Sequence, residues 1–162
     1  MLQRIQTVYF AITMLLFSLM FTGLSLLKFE QRGGEKTQFI NIFGRSTYAQ
    51  TDSKEILVVA NESIPLFVLA IAMILLLFIT LMAYKNVHRQ LSLARISMFI
   101  NVVLIVLFVI WSTYLFIIAP TGSSNSVQVG FYLLASTAPL SYFGYKGVLK
   151  DKMLLDSIDR LR

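Results

Sequence analysis

The sequence predicts an all-α membrane protein: a four-transmembrane-helix bundle with a partly β extracytoplasmic loop and a C-terminal amphipathic helix. Three observations predict it. Residues 64–84 and 96–119 are two uncharged apolar runs separated only by a basic corner, 85–95. Each run is long enough to cross a hydrocarbon layer about 30 Å thick, which takes roughly 20 helical residues. The chain as a whole is 57% hydrophobic and 14% charged, outside the usual soluble composition and toward that of membrane proteins. Its Lys and Arg residues gather at the ends of apolar runs, the pattern that sets orientation in a bilayer.

Taken in order, residues 7–27 form a first uncharged run of 21 residues. That is longer than the apolar part of a signal peptide, and no small-residue cleavage pattern follows it, so it is expected to stay as the first span. Residues 28–63 form the one sizeable water-exposed loop, with five basic and five acidic side chains. Gly33-Gly34 marks a turn. Stretches 37–43, ending at Gly44, and 55–60 are β-prone, which predicts two strands. A lone hairpin is marginal in water, so the pair must lean on the bundle's outer end or on another chain. Ser63 is a candidate N-cap and Pro65 suits a first helical turn, opening the second span, 64–84. The third span, 96–119, ends near Pro120, and the uncharged link 121–126 makes its successor an antiparallel neighbour. The fourth span is 127–145, with Pro139 inside it. The tail, 146–162, places Leu154, Leu155, Ile158 and Leu161 at helical spacing. It predicts either a helix along the membrane surface or a continuation of the fourth span. All of this is one integral membrane domain, 1–162.

Four spans put both termini on one side. That side carries Arg4, Lys85, Arg89, Arg95, Lys146, Lys150, Lys152, Arg160 and Arg162, nine basic residues against five in the long loop. The topology-setting group Lys85, Arg89, Arg95, Lys146, Lys150 and Lys152 therefore predicts cytoplasmic termini.

Composition also excludes chemistry. The formal charge is +6, but it forms no basic stripe, so nucleic acid is not an expected partner. There is no cysteine, which rules out disulfides, thiol nucleophiles and thiolate metal sites. No Asp or Glu occurs between Glu62 and Asp151, and ion-coupled carriers ordinarily need intramembrane carboxylates. His88, the one histidine, has no partners at metal-ligand spacing. No catalytic, cofactor-binding or metal-binding residue is predicted, and no cofactor.

What remains is polar glue and an apolar loop. Ser97, Asn101 and Ser112 fall, with Phe108, on roughly one face of the third span. Interhelical hydrogen bonding is the favoured reading, at about 0.6 to 2 kcal/mol per contact; a groove for a small molecule or lipid beside Asn101 is the alternative. Thr137 and Ser141 give the fourth span a small-residue face. In the loop, Phe39, Ile40, Ile42, Phe43, Ile56, Leu57 and Val58 are more apolar than solvation requires, which predicts contact with another membrane or periplasmic protein.

Three places resemble a known family. They are the opening Met1-Leu2-Gln3-Arg4-Ile5-Gln6-Thr7-Val8-Tyr9, the corner Tyr84-Lys85-Asn86 through Arg89-Gln90-Leu91 and Leu93-Ala94-Arg95, and the close with Gly147, Lys150-Asp151 and Asp159-Arg160-Leu161-Arg162. They resemble a domain-of-unknown-function family of small four-span membrane proteins from Bacteroidota; residues 152–156 are less basic than its usual ending. The resemblance implies residence in a bacterial inner membrane and no particular chemistry. The expected role is a non-enzymatic accessory or scaffold subunit of a membrane complex.

Overall fold

The computed structural model describes residues 3–30, 36–50, 56–63, 66–118 and 124–160. Among them are four long helices and a five-stranded antiparallel sheet. The helices are α1 (Gln3–Leu19), α2 (Leu66–Met82), α3 (Val87–Ile118) and α4 (Val129–Arg160). The strands are β1 (Leu27–Glu30), β2 (Lys36–Ile40), β3 (Gly44–Gln50), β4 (Ile56–Ser63) and β5 (Ser124–Val127), in the order β4-β3-β2-β1-β5. α1 packs on α2 and α4, and α3 packs on the same two helices, so the four close into a ring.

Three helical stretches are long and apolar enough to cross a membrane: Ile5–Thr22, Leu66–Lys85 and Val87–Tyr114. Most of their surface is turned outward, with Leu75, Phe99 and Ile110 all more than half exposed. A continuous apolar surface of this size needs a nonaqueous cover, which a bilayer supplies. α4 is not one of the three, because its first half mixes Ser, Thr, Tyr and Pro139 among the apolar residues.

The elements differ from the expected ones in instructive ways. The run 7–27 is not one helix: α1 ends in a 3-10 turn, Met20–Thr22, and Gly23 at φ +81° turns the chain out of it. That left-handed conformation is open to glycine at little cost, and Leu27 then starts a strand. The described residues of the loop hold four strands where two were expected. Gly44 does not end the β structure; it begins β3. Asn41 makes the turn by accepting from the backbone N–H of Phe43 and Gly44 at 3.0 and 2.9 Å on its Oδ1. The link 121–126 contributes β5, which pairs with β1 from Leu27↔Val127 to Glu30↔Ser124.

The basic corner is also tighter than an eleven-residue turn. A 3-10 turn, Ala83–Lys85, and Asn86 suffice, and α3 has begun by Val87. Asn86 caps it, its Oδ1 accepting from Arg89 N–H at 3.3 Å, so His88, Arg89 and Arg95 stand on the first turns of a helix. The tail continues α4 to Arg160 without a break, which selects continuation over a separate surface helix. Ser63 closes β4, and α2 is described from Leu66. Gly33-Gly34, Pro65, Pro120 and Leu161-Arg162 lie outside the described residues.

The sheet is held to the helices by one face and one turn. Leu27 and Ile40 are paired across β1 and β2 and both are buried. The β2–β3 turn is apolar at its tip: Ile42 is buried, and Phe43 lies between Phe21 and Phe67 at ring-centroid distances of 6.2 and 6.4 Å. Leu27, Ile40 and Ile42 join Phe17, Met20, Ala70 and Phe108 in the core. Burying a side chain such as Ile40 is worth roughly 1.5–3 kcal/mol.

Candidate functional site

Buried polar side chains form two seams on α4. At the middle seam, Asn101 of α3 is fully buried. Its Nδ2 donates to Ser141 Oγ at 2.8 Å, and its Oδ1 accepts from Thr137 Oγ1 at 3.0 Å. The Thr137 hydroxyl has one hydrogen, so it shares that hydrogen between Asn101 and its own Leu134 carbonyl at 2.6 Å. Thr137 and Ser141 flank Pro139, whose missing N–H weakens the α4 ladder there. A cross-helix amide braces that point. Ser97, one turn before Asn101, is buried and donates to Ala94 O at 3.0 Å. Ser112, expected on the same face, lies three turns farther along, donates to Val109 O at 2.8 Å and takes no part in the seam.

The second seam joins α1 to α4 near the other end. Gln6, only 4% exposed, donates through Nε2 to Asp151 Oδ2. The helices approach closely here: a Cβ on Gly147 would lie 2.6 Å from Gln6 Cγ, and one on Gly144 would lie 2.7 Å from Phe10 Cε1. Small residues let helix backbones approach and larger partners fill the gap. Thr13 and Thr80, both buried, donate to Tyr9 O and Leu76 O in their own helices at 2.8 Å.

Each described polar group in these seams bonds to a neighbour within the chain. Beside Asn101, where the alternative reading places a groove, the amide meets Ser141 and Thr137. A cavity of about 60 Å³ between Phe17, Leu104, Phe108 and Leu134 has an apolar lining.

On the sheet, the expected partner-contact residues divide. Ile40 and Ile42 are buried in the chain's own core, which removes them from any outer surface; their apolar load is spent on the helices. Phe43 remains partly exposed beside them. Phe39 is on the opposite face from Ile40, and its ring meets Tyr48 at 5.7 Å and lies 5.9 Å below Lys28 Nζ. The backbone of Ile56, Leu57 and Val58 lies in β4 at the sheet edge; their side chains are outside the described residues. Lys85, Arg89, Arg95, Lys146, Lys150 and Lys152 lie at or toward the end of the helices away from the sheet, and all but the half-buried Lys152 are exposed. Among the described residues no three His, Asp or Glu side chains gather as a metal site would require.

Residues 2–161 match the family described as "Domain of unknown function (DUF4293)". The chain belongs to that family. Among curated proteins none matches the sequence. Membership covers the opening, the corner and the close that carry the resemblance, and two of those places meet in space, since Gln6 of the opening touches Gly147 and Asp151 of the close. That contact was not read from the sequence, because 145 residues separate the pair and neither residue has a local pattern that points to the other.

Proposed function

We propose that the protein is a four-span inner-membrane protein with cytoplasmic termini, acting as a non-enzymatic accessory or scaffold subunit of a membrane complex. The observation that carries this reading is the division of labour in the polar groups. Those between the helices are consumed in holding helices together, through Asn101, Thr137, Ser141, Gln6 and Asp151. The sheet, by contrast, turns Phe39, Tyr48 and the Lys28–Glu30 pair away from the core, offering an aromatic and charged face to another protein.

In this reading α4 crosses the membrane as the fourth span, made less apolar than the others by the groups that pack it against α1 and α3. The basic end, Lys85 through Lys152, faces the cytoplasm, and the sheet lies outside. Cysteines placed at Ser124 and at His88, both exposed sites, test the orientation. The Ser124 site is expected to react with an impermeant thiol reagent in intact spheroplasts and the His88 site only after lysis; the reverse pattern overturns the topology. Mild-detergent purification with mass spectrometry tests the role. A partner is expected to co-purify with the native chain and to be lost from Phe39→Ser/Tyr48→Ser, while insertion persists. Undiminished recovery from that variant overturns the sheet face as the docking surface.

A further inference from the structure

The outward side of α4 differs in kind from those of α2 and α3. Those two helices turn out Leu69, Leu75, Phe99 and Ile110, side chains that hydrocarbon covers without loss. α4 turns out Tyr132, Pro139 and Tyr142, and midway between the tyrosines it also turns out a backbone group. Pro139 lies inside the helix and has no N–H, so the helical ladder supplies no i+4 donor to the Ala135 carbonyl. Residues four apart share a helix face, and Pro139 is exposed, so that carbonyl opens on the outward side. Among the described residues no side chain donates to it: the Ser136 and Thr137 hydroxyls go to Leu133 O and Leu134 O at 2.7 and 2.6 Å. Ala135 and Pro139 fall in the middle of the expected fourth span, 127–145, where acyl chains offer no donor. A donor stands one residue on. Ser136 lies at the edge of the same face, half-buried, and the Leu133 carbonyl that takes its hydrogen is already served by the helix ladder. That hydrogen is free to turn to an acceptor with none.

We propose that a second copy of this chain packs on this face, α4 against α4 about a two-fold axis along the membrane normal, with Ser136 of each copy donating to the Ala135 carbonyl of the other. A second copy fits better than an unrelated helix because acceptor and donor stand one residue apart on one face. A two-fold axis, the commonest symmetry of oligomers, then satisfies both copies with the same pair of groups. Helices that cross at this level diverge toward the inner end, which keeps the exposed Lys146 and Lys150 away from their counterparts. The inference rests on the membrane placement proposed above and adds self-association to the role proposed there.

The chain has no cysteine, so single introduced cysteines test the contact. In liposomes at low protein density, Ala135→Cys is expected to form a disulfide-linked dimer on oxidation, while Leu75→Cys on α2 and Phe99→Cys on α3 stay monomeric. Energy transfer between labelled full-length copies measures the strength of association. Ser136→Ala removes the donor and Pro139→Ala restores the missing N–H; each is expected to weaken association about tenfold, the worth of two reciprocal interhelical bonds. Equal cross-linking from all three faces, none from α4, or unchanged association in both variants overturns the interface. An adduct of Ala135→Cys with a different protein in native membranes, with no dimer in liposomes, overturns the second copy as the occupant. An alkaline carbonate wash separates the two readings: a chain that stays in the membrane without dimerising through α4 overturns only this interface, and one that washes out overturns the placement and this interface together.

Discussion

The helices and the sheet satisfy their backbones in opposite ways. Each helix closes its own hydrogen bonds within four residues, so α2 and α3 need only a nonpolar surrounding and a few polar ties. The sheet closes its bonds across the chain: β1 lies between β2, ten residues away, and β5, about a hundred residues away. The helical part can therefore be read segment by segment, while the sheet exists only once distant segments are brought together. The helices do that by carrying the two links to the same end.

If the sheet depends on the helices through a small contact, that contact carries the largest single effect. Ile40→Ala removes a fully buried side chain where sheet and helices meet, and it is expected to cost about 2–5 kcal/mol. In lipid nanodiscs the loss should show as early exchange of the amides of β2 and β3, with those of α2 and α3 still protected. Simultaneous loss of protection in helices and sheet would show that the two are one cooperative unit.

The next effect falls on the α1–α4 seam. Gly144→Val puts a branched side chain where a Cβ alone would meet the Phe10 ring at 2.7 Å, and overpacking of this kind costs about 1–3 kcal/mol. Thermal unfolding in detergent measures it. Phe10→Ala in the same chain should recover part of the loss by making room. Failure of that rescue would place the strain elsewhere than against Phe10.

These two contacts also show what was legible. The apolar lengths of α2 and α3 are visible in the sequence because a helix in lipid needs little besides apolar side chains, and Asn101 stands out against them. Its partners Thr137 and Ser141 were visible only as a small-residue face, since nothing local tells that a threonine faces an amide 36 residues away. β3 was missed because Arg45, Thr47 and Tyr48 break any apolar alternation; Thr47 is buried by the register it takes from β2, a property of the pair. β5 was missed for the same reason more strongly: Ser-Asn-Ser-Val has no strand preference of its own, and β1 supplies the ladder. The corner misled in the other direction. Its charges suggested a turn, yet His88 and Arg89 fit a helix once Asn86 caps it.

A smaller effect tests the middle seam. Asn101→Leu removes one amide and leaves the Thr137 and Ser141 hydroxyls to the carbonyls of their own helix, so the loss should not exceed about 2 kcal/mol. Adding Thr137→Val and Ser141→Ala should then cost little more, because their shared partner is already gone. Additive losses across the three substitutions would mean that each hydroxyl supports the helix independently of Asn101. A lost cellular phenotype in a stable, normally inserted Asn101→Leu chain would favour a ligand there over a structural tie.

The smallest effect is expected where α4 runs past its contact with Gln6 of α1. Beyond Asp151 the helix carries Leu154, Leu155 and Ile158, all exposed, as a narrow apolar stripe with no cover among the described residues. Their helicity comes from continuity with the packed part of α4, which supplies the nucleus that an isolated segment of this length would lack. Leu154→Ser/Leu155→Ser/Ile158→Ser is therefore expected to shift unfolding in detergent by no more than about 0.5 kcal/mol per position, with insertion unchanged. The same variant in bilayers separates the two surroundings: if the stripe rests on lipid headgroups, its amides should exchange faster in bilayers after substitution while remaining unaffected in detergent. A loss above about 2 kcal/mol in detergent, beyond what exposed positions can give, would show that this stripe is packed against protein, as the core-facing side of Ile40 is.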